Sequence, residues 1–472
     1  MKSEANYFAS QAWVQGAWAK DVLLTVAPSG TWQSVQPNAT PAQQVGATQL
    51  GGPVLPGLVN AHSHAFQRAI AGLTERRSLG ADASDDFWSW RDRMYSAANR
   101  ITPDQLEAIA SLLYAELLAG GYTQVCEFQY LHNDIDGRPY ANPVEMSLAL
   151  VRAAQRTGIG LTLLPTLYMR SGFTATSLRA DQRRFASTPA SVMRVVEDIQ
   201  RQTATDVRIN CGVAIHSLRA ASPSALFELA ASAKKAGLPV HIHIAEQTQE
   251  VDDCMLHTGQ RPIEWLLDHA EVDARWNLVH ATHTTPAELQ GVQASGAAIV
   301  ICPATEANLG DGVFDLPGYA ATGGAWSMGS DSHVTRSWPE ELRLLEYSQR
   351  LSLRQRNIAA SVTGHESSAA ALFEAALAGG QQASGQAQGG IVVGNRADFV
   401  TVDVQSPALL GLPTDYCLDA LVFSSPAPPF SEVFIAGKPV VQGGRVVGPD
   451  AQVALWPQLA DGFGKAMHTL WR

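Results

Sequence analysis

The stretch PGLVNAHSHAFQ, residues 56–67, decides how this sequence is interpreted. It has the pattern of a short apolar strand that ends in His62, Ser63 and His64. Alternate residues of a strand point to the same side, so the two imidazoles are expected to project together from the strand end. Two neutral imidazoles in this arrangement can bind one Zn²⁺ ion at about 2.0–2.1 Å. A complete metal site then requires further ligands from distant parts of the chain.

The composition restricts the class of protein. The chain has 472 residues, is 46% hydrophobic and carries a formal net charge of −11. This acidic balance argues against nucleic acid or an anionic membrane as a partner. The five cysteines are scattered and form no C-x-x-C motif, which predicts a protein of the reducing cytoplasm. The N-terminus lacks the apolar core of a signal peptide, and no apolar run is long enough to span a membrane.

Apolar strands alternate with helical stretches from residue 58 onward, and this alternation predicts an α/β fold. The eight strand candidates begin near Leu58, Thr123, Gly160, Val207, Pro239, Trp276, Ala298 and Ala325. Glycines stand between several helices and the strands that follow them, where a left-handed residue is favoured. Eight successive β/α units predict a (β/α)₈ TIM-like barrel.

Both ends of the chain have a different pattern, in which short alternating segments are broken by Pro and Gly. We therefore predict one small β-sandwich domain that is built from both chain termini, with the barrel inserted between its two parts. The expected boundaries are residues 1–55 for the N-terminal part, 56–385 for the metal-dependent barrel and 386–472 for the C-terminal part.

Metal-binding and acid/base residues recur at the predicted C-terminal ends of the strands, where barrels of this kind carry their chemistry. Strand five contains His241, His243 and Glu246, strand six ends in His280, and strand eight ends in Asp331. With the HSH motif of strand one, four separate strand ends present such side chains. This coincidence predicts a metal site inside the mouth of the barrel.

These motifs, HSH after strand one, H-x-x-E at strand five, His at strand six and Asp at strand eight, resemble the amidohydrolase superfamily. In its mononuclear deaminase branch, the resemblance implies that one Zn²⁺ ion per chain is bound by His62, His64, His243 and Asp331. It also implies that His280 lies beside the attacking water, with Glu246 opposite it. Binuclear members carry a carboxylated lysine near strand four, and VRINCGVAIH, residues 207–216, contains no lysine.

The residue types fit hydrolysis of a C–N bond. A Zn²⁺ ion lowers the pKa of a bound water from 15.7 towards about 7. Asp331 can take a proton from that water, while His280 orients the water or shares the proton. Glu246 can protonate a substrate nitrogen, so that ammonia leaves. We therefore expect catalytic roles for Glu246, His280 and Asp331.

Four further stretches carry a narrower resemblance: HAFQRA at 64–69, FWSWR at 87–91, EFQY at 127–130 and HSLR at 216–219. They resemble the formimidoylglutamate deiminase family of histidine degradation, whose members convert N-formimidoyl-L-glutamate and water to N-formyl-L-glutamate and ammonia. The resemblance implies that the protein is a homodimer and that His216 lies near the reacting group. It further implies that the substrate carboxylates are held by Gln67, Arg91, Tyr130 and Arg219.

The two arginines favour a small anionic substrate derived from an amino acid, independently of the resemblance. A dicarboxylate that enters an acidic protein needs local positive charge, and a guanidinium group binds a carboxylate at two points. Arg219 follows strand four closely enough to face the site, whereas Arg91 competes with Arg93, two residues away. A surface salt bridge is the alternative role for either arginine.

Two alternatives remain open at the level of the sequence. The first is another deaminase of the same branch that acts on guanine, an adenosine-like base or a triazine, with Trp88 and Trp90 as candidate contacts for a ring. The second is a barrel that binds a ligand or a metal without turnover. The intact set of metal ligands and the additional acid, Glu246, argue against this second alternative.

Overall fold

The structure is a computed structural model and is described for residues 4–76, 86–448 and 453–471. Its strands are β1 (Ala5–Val14), β2 (Ala17–Val26), β3 (Trp32–Gln36), β4 (Thr48–Gln49), β5 (Val54–Pro56), β6 (Leu58–Ser63), β7 (Tyr122–Gln129), β8 (Gly160–Leu167), β9 (Ile209–Cys211), β10 (Val213–Ile215), β11 (Val240–Ile244), β12 (Trp276–His280), β13 (Ala298–Ile301), β14 (Trp326–Met328), β15 (Phe399–Val402), β16 (Phe430–Ile435), β17 (Lys438–Gln442) and β18 (Arg445–Val446).

The α-helices are α1 (Phe87–Ala98), α2 (Pro103–Ala119), α3 (Glu145–Thr157), α4 (Pro189–Gln202), α5 (Pro223–Ala236), α6 (Thr248–Thr258), α7 (Pro262–His269), α8 (Pro286–Ser295), α9 (Pro303–Leu309), α10 (Leu316–Ala321), α11 (Trp338–Leu353), α12 (Ile358–Thr363), α13 (Ser368–Ser384), α14 (Cys417–Phe423) and α15 (Trp456–Leu470). Short 3₁₀ turns lie at Ala65–Ala69, Ala180–Phe185 and Thr414–Tyr416. Within the described ranges, no helix combines the length and the apolar character needed to cross a membrane.

The strands from β6 to β14 form the parallel sheet of a nearly closed barrel. Their order is β14-β13-β12-β11-β10-β8-β7-β6, and β9 also pairs with β8, so that β9 and β10 together occupy the fourth strand position. Every residue of β7 and β8 is buried, because helices cover the outer face while side chains fill the interior. The predicted (β/α)₈ barrel is confirmed.

The helices between the barrel strands begin and end where the local sequence predicts. In α2, Thr102 is the N-cap and forms a reciprocal capping box with Gln105. Pro103 occupies the first turn, where a backbone N–H has no partner within the helix, so the missing N–H of proline costs no hydrogen bond. Helices α3 and α5 end at Gly158 and Gly237, whose φ angles are 86° and 66°. Glycine adopts this left-handed conformation without a Cβ clash, so each helix stops before its next strand.

A second, largely antiparallel sheet joins the two ends of the chain, in the order β18-β17-β16-β15-β5-β1-β2-β3. The junction is the antiparallel pair β5–β15, in which Leu55 lies opposite Val400. Its core is aromatic, and the rings of Phe399 and Phe434 stack with their centroids 4.3 Å apart. The predicted fold class is confirmed. The domain boundaries after residues 55 and 385 stay predictions.

Helix α15 is a feature that the sequence pattern did not predict. It follows the last strand of the small sheet but packs against α2 of the barrel. Its buried residues Leu459, Ala466 and Leu470 recur on one face of the helix. Gly462 and Gly464 lie inside it and lower its intrinsic helix propensity, so packing of the apolar face stabilises a helix that propensity alone does not favour.

Candidate active site

The barrel closes at the point where its first and last strands carry the candidate ligands. Beyond β14, the backbone N–H of Asp331 donates to the carbonyl oxygen of His62 at 3.0 Å, and the N–H of His64 donates to the carbonyl oxygen of Asp331 at 3.3 Å. Gly329 allows this close approach, because a Cβ atom there would lie 2.5 Å from Cβ of His62. The backbone therefore holds these three side chains together.

Four ligand atoms converge inside this mouth. The Nε2 atom of His243 lies 3.0 Å from Nε2 of His62 and 3.4 Å from Nε2 of His64. Oδ1 of Asp331 lies 3.4 Å from Nε2 of both His62 and His64. Ligands at about 2.0–2.1 Å from the centre of a tetrahedron lie about 3.3 Å from one another. These four distances are close to the spacing of ligands that share one metal ion.

Hydrogen bonds at the opposite ring nitrogens orient two of the imidazoles. Nδ1–H of His64 donates to the carbonyl oxygen of Phe128 at 3.0 Å, and Nδ1–H of His243 donates to that of His216 at 2.9 Å. A carbonyl oxygen can only accept, so Nδ1 carries the proton and the lone pair of Nε2 faces the centre. Nδ1 of His62 is buried and has no such partner among the described residues.

Burial keeps these imidazoles neutral. It lowers the pKa of His62 to about 3, and it also lowers the pKa values of His64 and His243. Burial alone would raise the pKa of Asp331, but its hydrogen bond to His62 and its attraction to the neighbouring histidines, among them His280, hold that pKa below its ordinary value. Three neutral nitrogens and one carboxylate form a donor set suited to a divalent cation.

Two candidate acid/base residues flank this cluster. His280 is 1% exposed, and its Nε2 lies 3.7 Å from Oε1 of Glu246 and 4.0 Å from Oδ2 of Asp331. Burial raises the pKa of Glu246 above its ordinary value, so its carboxyl group can hold a proton close to neutral pH. Both His280 and Asp331 have positive φ angles, 70° and 43°, a conformation that non-glycine residues rarely adopt and that recurs at functional sites.

The predicted substrate-binding residues open onto the same space. One pocket is lined by Gln67, Arg91, Tyr130, His216 and Arg219 together with His64, His243, Glu246, His280 and Asp331. His62 is fully buried beside it. The structure thus brings the predicted metal-binding, catalytic and substrate-binding residues to one place. His241 does not line this pocket, and its Nε2–H donates to the carbonyl oxygen of Ala383 at 2.9 Å. Their individual roles stay predictions.

The two arginines meet at one indole ring. The Cζ atom of Arg91, on α1, lies 4.5 Å from the ring centroid of Trp88, and that of Arg219, beyond β10, lies 5.6 Å from it. Nε of each arginine is buried without a hydrogen-bond partner in the described structure. Arg93 instead donates to the carbonyl oxygen of Thr74 at 2.6 Å, so it is Arg91 that lines the pocket.

The other predicted binding residues form an aromatic and amide wall. The Tyr130 ring packs against His64 and His216, with centroid distances of 5.2 and 5.7 Å. Nε2 of Gln67 lies 3.5 Å from the hydroxyl of Tyr130, and the amide oxygen of Gln67 is buried without a partner in the parts of the chain described. Burial, reinforced by the charge of Arg219, holds the pKa of His216 well below its ordinary value, so this ring is neutral.

Several residues near the site were not predicted. The hydroxyls of Tyr95 and Tyr168 lie 3.1 Å apart on the pocket wall. Glu127 supports the HSH segment, because it accepts hydrogen bonds from the Ser63 hydroxyl at 2.7 Å and from the Ala65 N–H at 2.6 Å. Glu127 lies on a predicted barrel strand, so its position in an apolar run was the available signal. The tyrosines lie far apart in sequence and left no comparable pattern.

Comparison with known proteins identifies the class. A profile of the amidohydrolase family matches residues 54–440, which is most of the sequence. The chain belongs to the amidohydrolase family, and it is a hydrolytic enzyme that acts on C–N bonds. Members of this family are typically metal-dependent, and the described residues contain buried groups that could hold a metal ion.

Comparisons with individual proteins are consistent with membership of the amidohydrolase family. A formimidoylglutamate deiminase from Pseudomonas aeruginosa is 43% identical over 452 residues, which make up 96% of this chain and 98% of that protein. The crystal structure of an amidohydrolase from Brucella melitensis is 40% identical, with a TM-score of 0.90, and covers 99% of this chain and 100% of its own. An adenosine deaminase from Xanthomonas campestris, solved with bound zinc, has a TM-score of 0.78 and 21% identity and covers 98% of both chains; this likeness concerns the fold alone.

Proposed function

We propose that this enzyme hydrolyses N-formimidoyl-L-glutamate to N-formyl-L-glutamate and ammonia, as a step of histidine degradation. The observation that carries the proposal is the pair of guanidinium groups, Arg91 and Arg219, that line the same pocket as the imidazole cluster. Two positive charges in the pocket suit a dicarboxylate, whereas a neutral ring offers them no counter-charge. The 43% identity to the deiminase of that name supports the same substrate.

The metal proposed here is one Zn²⁺ ion per chain, with His62, His64, His243 and Asp331 as its ligands. The support is the 3.0–3.4 Å spacing between neighbouring donor atoms and the lowered pKa values of the three imidazoles. When bound there, the ion would polarise a water molecule and lower the pKa of that water. The 207–216 segment contains no lysine to bridge a second ion.

The proposed proton transfers use groups that surround the reacting carbon. Water adds to the formimidoyl carbon, and the two protons of that water end on the imino nitrogen, which leaves as ammonia while a formyl C=O bond forms. Glu246, with its raised pKa, delivers a proton to the nitrogen. Asp331 accepts a proton through its carboxylate, and His280 lies between the two acids, 3.7 Å from Oε1 of Glu246.

Substrate recognition follows from the charges at the mouth of the pocket. Arg91 and Arg219 bind the two carboxylates of the glutamate moiety, and the cation–π contacts with Trp88 hold the guanidinium groups without neutralising them. Gln67 and Tyr130 complete the carboxylate contacts. His216, which is neutral, lies near the formimidoyl group and presents a polar edge without adding charge.

The resemblance to the formimidoylglutamate deiminase family leads us to propose that the protein is a homodimer and that it works in the cytoplasm. All five cysteines are buried as free thiols, a state that suits a reducing compartment. Sedimentation equilibrium would test the dimer, and a mass of about 50.4 kDa, that of one chain, would contradict it.

Identification of the products tests the proposed reaction. Proton NMR of the reaction mixture should show N-formyl-L-glutamate and ammonium in equal amounts. Hydrolysis at the other C–N bond would give glutamate and formamide instead, and that result would contradict the proposed orientation of the substrate. A protein that leaves N-formimidoyl-L-glutamate unchanged would contradict the proposed substrate.

A further inference from the structure

The second ring nitrogen of His280 has a carboxylate partner outside the pocket. Nδ1 of His280 lies 3.4 Å from Oε1 of Glu306, which belongs to α9, the helix that follows β13. Both side chains are buried, with 1% and 4% exposure. Glu306 does not line the substrate pocket. Its carboxylate therefore reaches the reaction only through the imidazole.

A backbone group holds the same carboxylate oxygen in place. The N–H of Cys302 donates to Oε1 of Glu306 at 2.9 Å, so the oxygen that faces His280 is fixed by the turn that begins α9. An ionised carboxylate only accepts, so its neighbour Nδ1 of His280 carries the proton. Nε2, on the opposite side of the ring, then faces Glu246 and Asp331.

The backbone at His280 is irregular, so a side-chain contact such as that with Glu306 is needed to hold the ring in place. Its φ angle of 70° takes the residue out of regular strand geometry, and Ala281, which follows, has a φ angle of 49°. The ring lies almost parallel to that of His243, at an interplanar angle of 13° and a centroid distance of 5.5 Å. Stacking fixes the plane of the ring, but it does not decide which nitrogen carries the proton.

We propose that Glu306 is a positioning residue, which accepts a hydrogen bond from Nδ1–H of His280 and thereby directs Nε2 towards the attacking water. This inference rests on the proposed function for its kinetic consequence. The hydrogen bond itself is a property of the free protein. In the sequence, the signal was a carboxylate five residues after the end of a barrel strand, in the segment CPATE.

A second metal ion is the competing explanation for this group of side chains. Nδ1 of His280, Sγ of Cys302 and a carboxylate oxygen of Glu306 all lie within 4.8 Å of one another. The positioning role is favoured, because the carboxylate oxygen is already bonded to the Cys302 N–H and faces a ring N–H. Elemental analysis distinguishes the positioning role from a second metal site. If Glu306 is a positioning residue, Glu306→Ala keeps the metal content of the wild type. Loss of one equivalent of metal in Glu306→Ala would overturn the positioning role.

The kinetic test compares Glu306→Ala with Glu306→Gln. Removal of the acceptor should lower kcat by about 10–100-fold, the usual effect of losing a partner that orients a functional histidine, with KM changed less than about threefold. Glutamine keeps an oxygen acceptor and should restore a large part of kcat. Glu341→Ala is the matched control, because Glu341 accepts from the Ala304 N–H of the same helix at 2.9 Å without contacting His280.

Equal kcat losses in Glu306→Ala and Glu341→Ala would show general damage to α9 and overturn the positioning role. A normal kcat in Glu306→Ala would overturn it as well. Because the substrate is itself proposed, the closing experiment uses none. Nitrogen-15 NMR of the histidine-labelled holoenzyme, with the His280 signals assigned from His280→Asn, should show Nδ1 protonated in the wild type, a clear change of the His280 ring signals in Glu306→Ala and a smaller change in Glu306→Gln. Unchanged His280 signals in both variants would contradict the inference whatever the substrate is.

Discussion

The Nε2 atoms of His62 and His243 lie 3.0 Å apart, although 181 positions separate the two residues in the chain. One belongs to the first barrel strand and the other to the fifth, and burial keeps both rings neutral. Nδ1 of His243 is protonated by its bond to a carbonyl oxygen, so its Nε2 lone pair points at the other ring. A cation bound between the two Nε2 atoms would have both as ligands, and from this relationship the proposed metal site and its chemistry follow.

The first prediction concerns metal content. Protein purified without added metal should contain about one equivalent of a divalent ion per chain, because one set of four converging ligands is present at the proposed site. Removal of the ion with a chelator should abolish activity and lower Tm, since binding to the folded state stabilises it. Zinc should restore both properties. Two equivalents per chain, measured by elemental analysis, would contradict the mononuclear site.

A second prediction concerns the proton donor. Glu246→Gln should keep the metal and the fold but lower kcat by about 10²–10⁴-fold, the usual contribution of a positioned acid or base. Glu250→Gln provides a matched control, because Glu250 is also buried and contacts the backbone N–H of Glu246 at 3.2 Å. Near-normal turnover in Glu246→Gln, measured by ammonia release, would remove Glu246 from the mechanism.

Charge recognition by Arg219 leads to a third prediction. A hydrogen bond between charged groups contributes about 1.5–3 kcal/mol, so Arg219→Met should lower kcat/KM for N-formimidoyl-L-glutamate by about 10–100-fold or more. The loss should be much smaller for an analogue that lacks the matching carboxylate. Kinetics with both compounds separate binding from misfolding, because a misfolded variant loses activity towards both alike. Equal losses would count against direct recognition.

The fourth prediction concerns the indole between the arginines. Trp88→Leu removes cation–π contacts of about 0.5–2 kcal/mol, so KM for N-formimidoyl-L-glutamate should rise by about 2–30-fold while kcat changes little. Trp88→Phe keeps an aromatic face and should recover part of the affinity. A fall in kcat at constant KM would instead place Trp88 in the chemical step and contradict its proposed role as a support for Arg91 and Arg219.

The sequence predicted the parts of the site that lie in the barrel strands or just beyond their C-terminal ends. Strand periodicity and the barrel rule placed His62, His64, His243 and Asp331 at one end of the barrel, because the C-terminal ends of parallel strands share an edge. Which of the neighbouring arginines faces the pocket depends on the rotation of α1 and needed the structure, which selects Arg91.

Contacts that depend on irregular backbone conformation or on packing between distant elements could not be predicted from the sequence. Glu306 reaches His280 from the turn after β13, and the two are 26 positions apart. The φ angle of 70° at His280 follows from no local pattern, because it is imposed by the packing of neighbouring strand ends. Helix α15 was missed for the opposite reason, since tertiary packing overrides the weak helix propensity of a segment with two glycines.

The most direct test of the whole account is ammonia release by the zinc-loaded protein from four compounds: N-formimidoyl-L-glutamate, N-formimidoyl-L-aspartate, guanine and adenosine. We predict that kcat/KM is highest for N-formimidoyl-L-glutamate, that the shorter aspartate analogue reacts more slowly because its carboxylates do not span both arginines, and that the two purines release no ammonia. Efficient deamination of guanine or adenosine, with none from N-formimidoyl-L-glutamate, would contradict the proposed substrate.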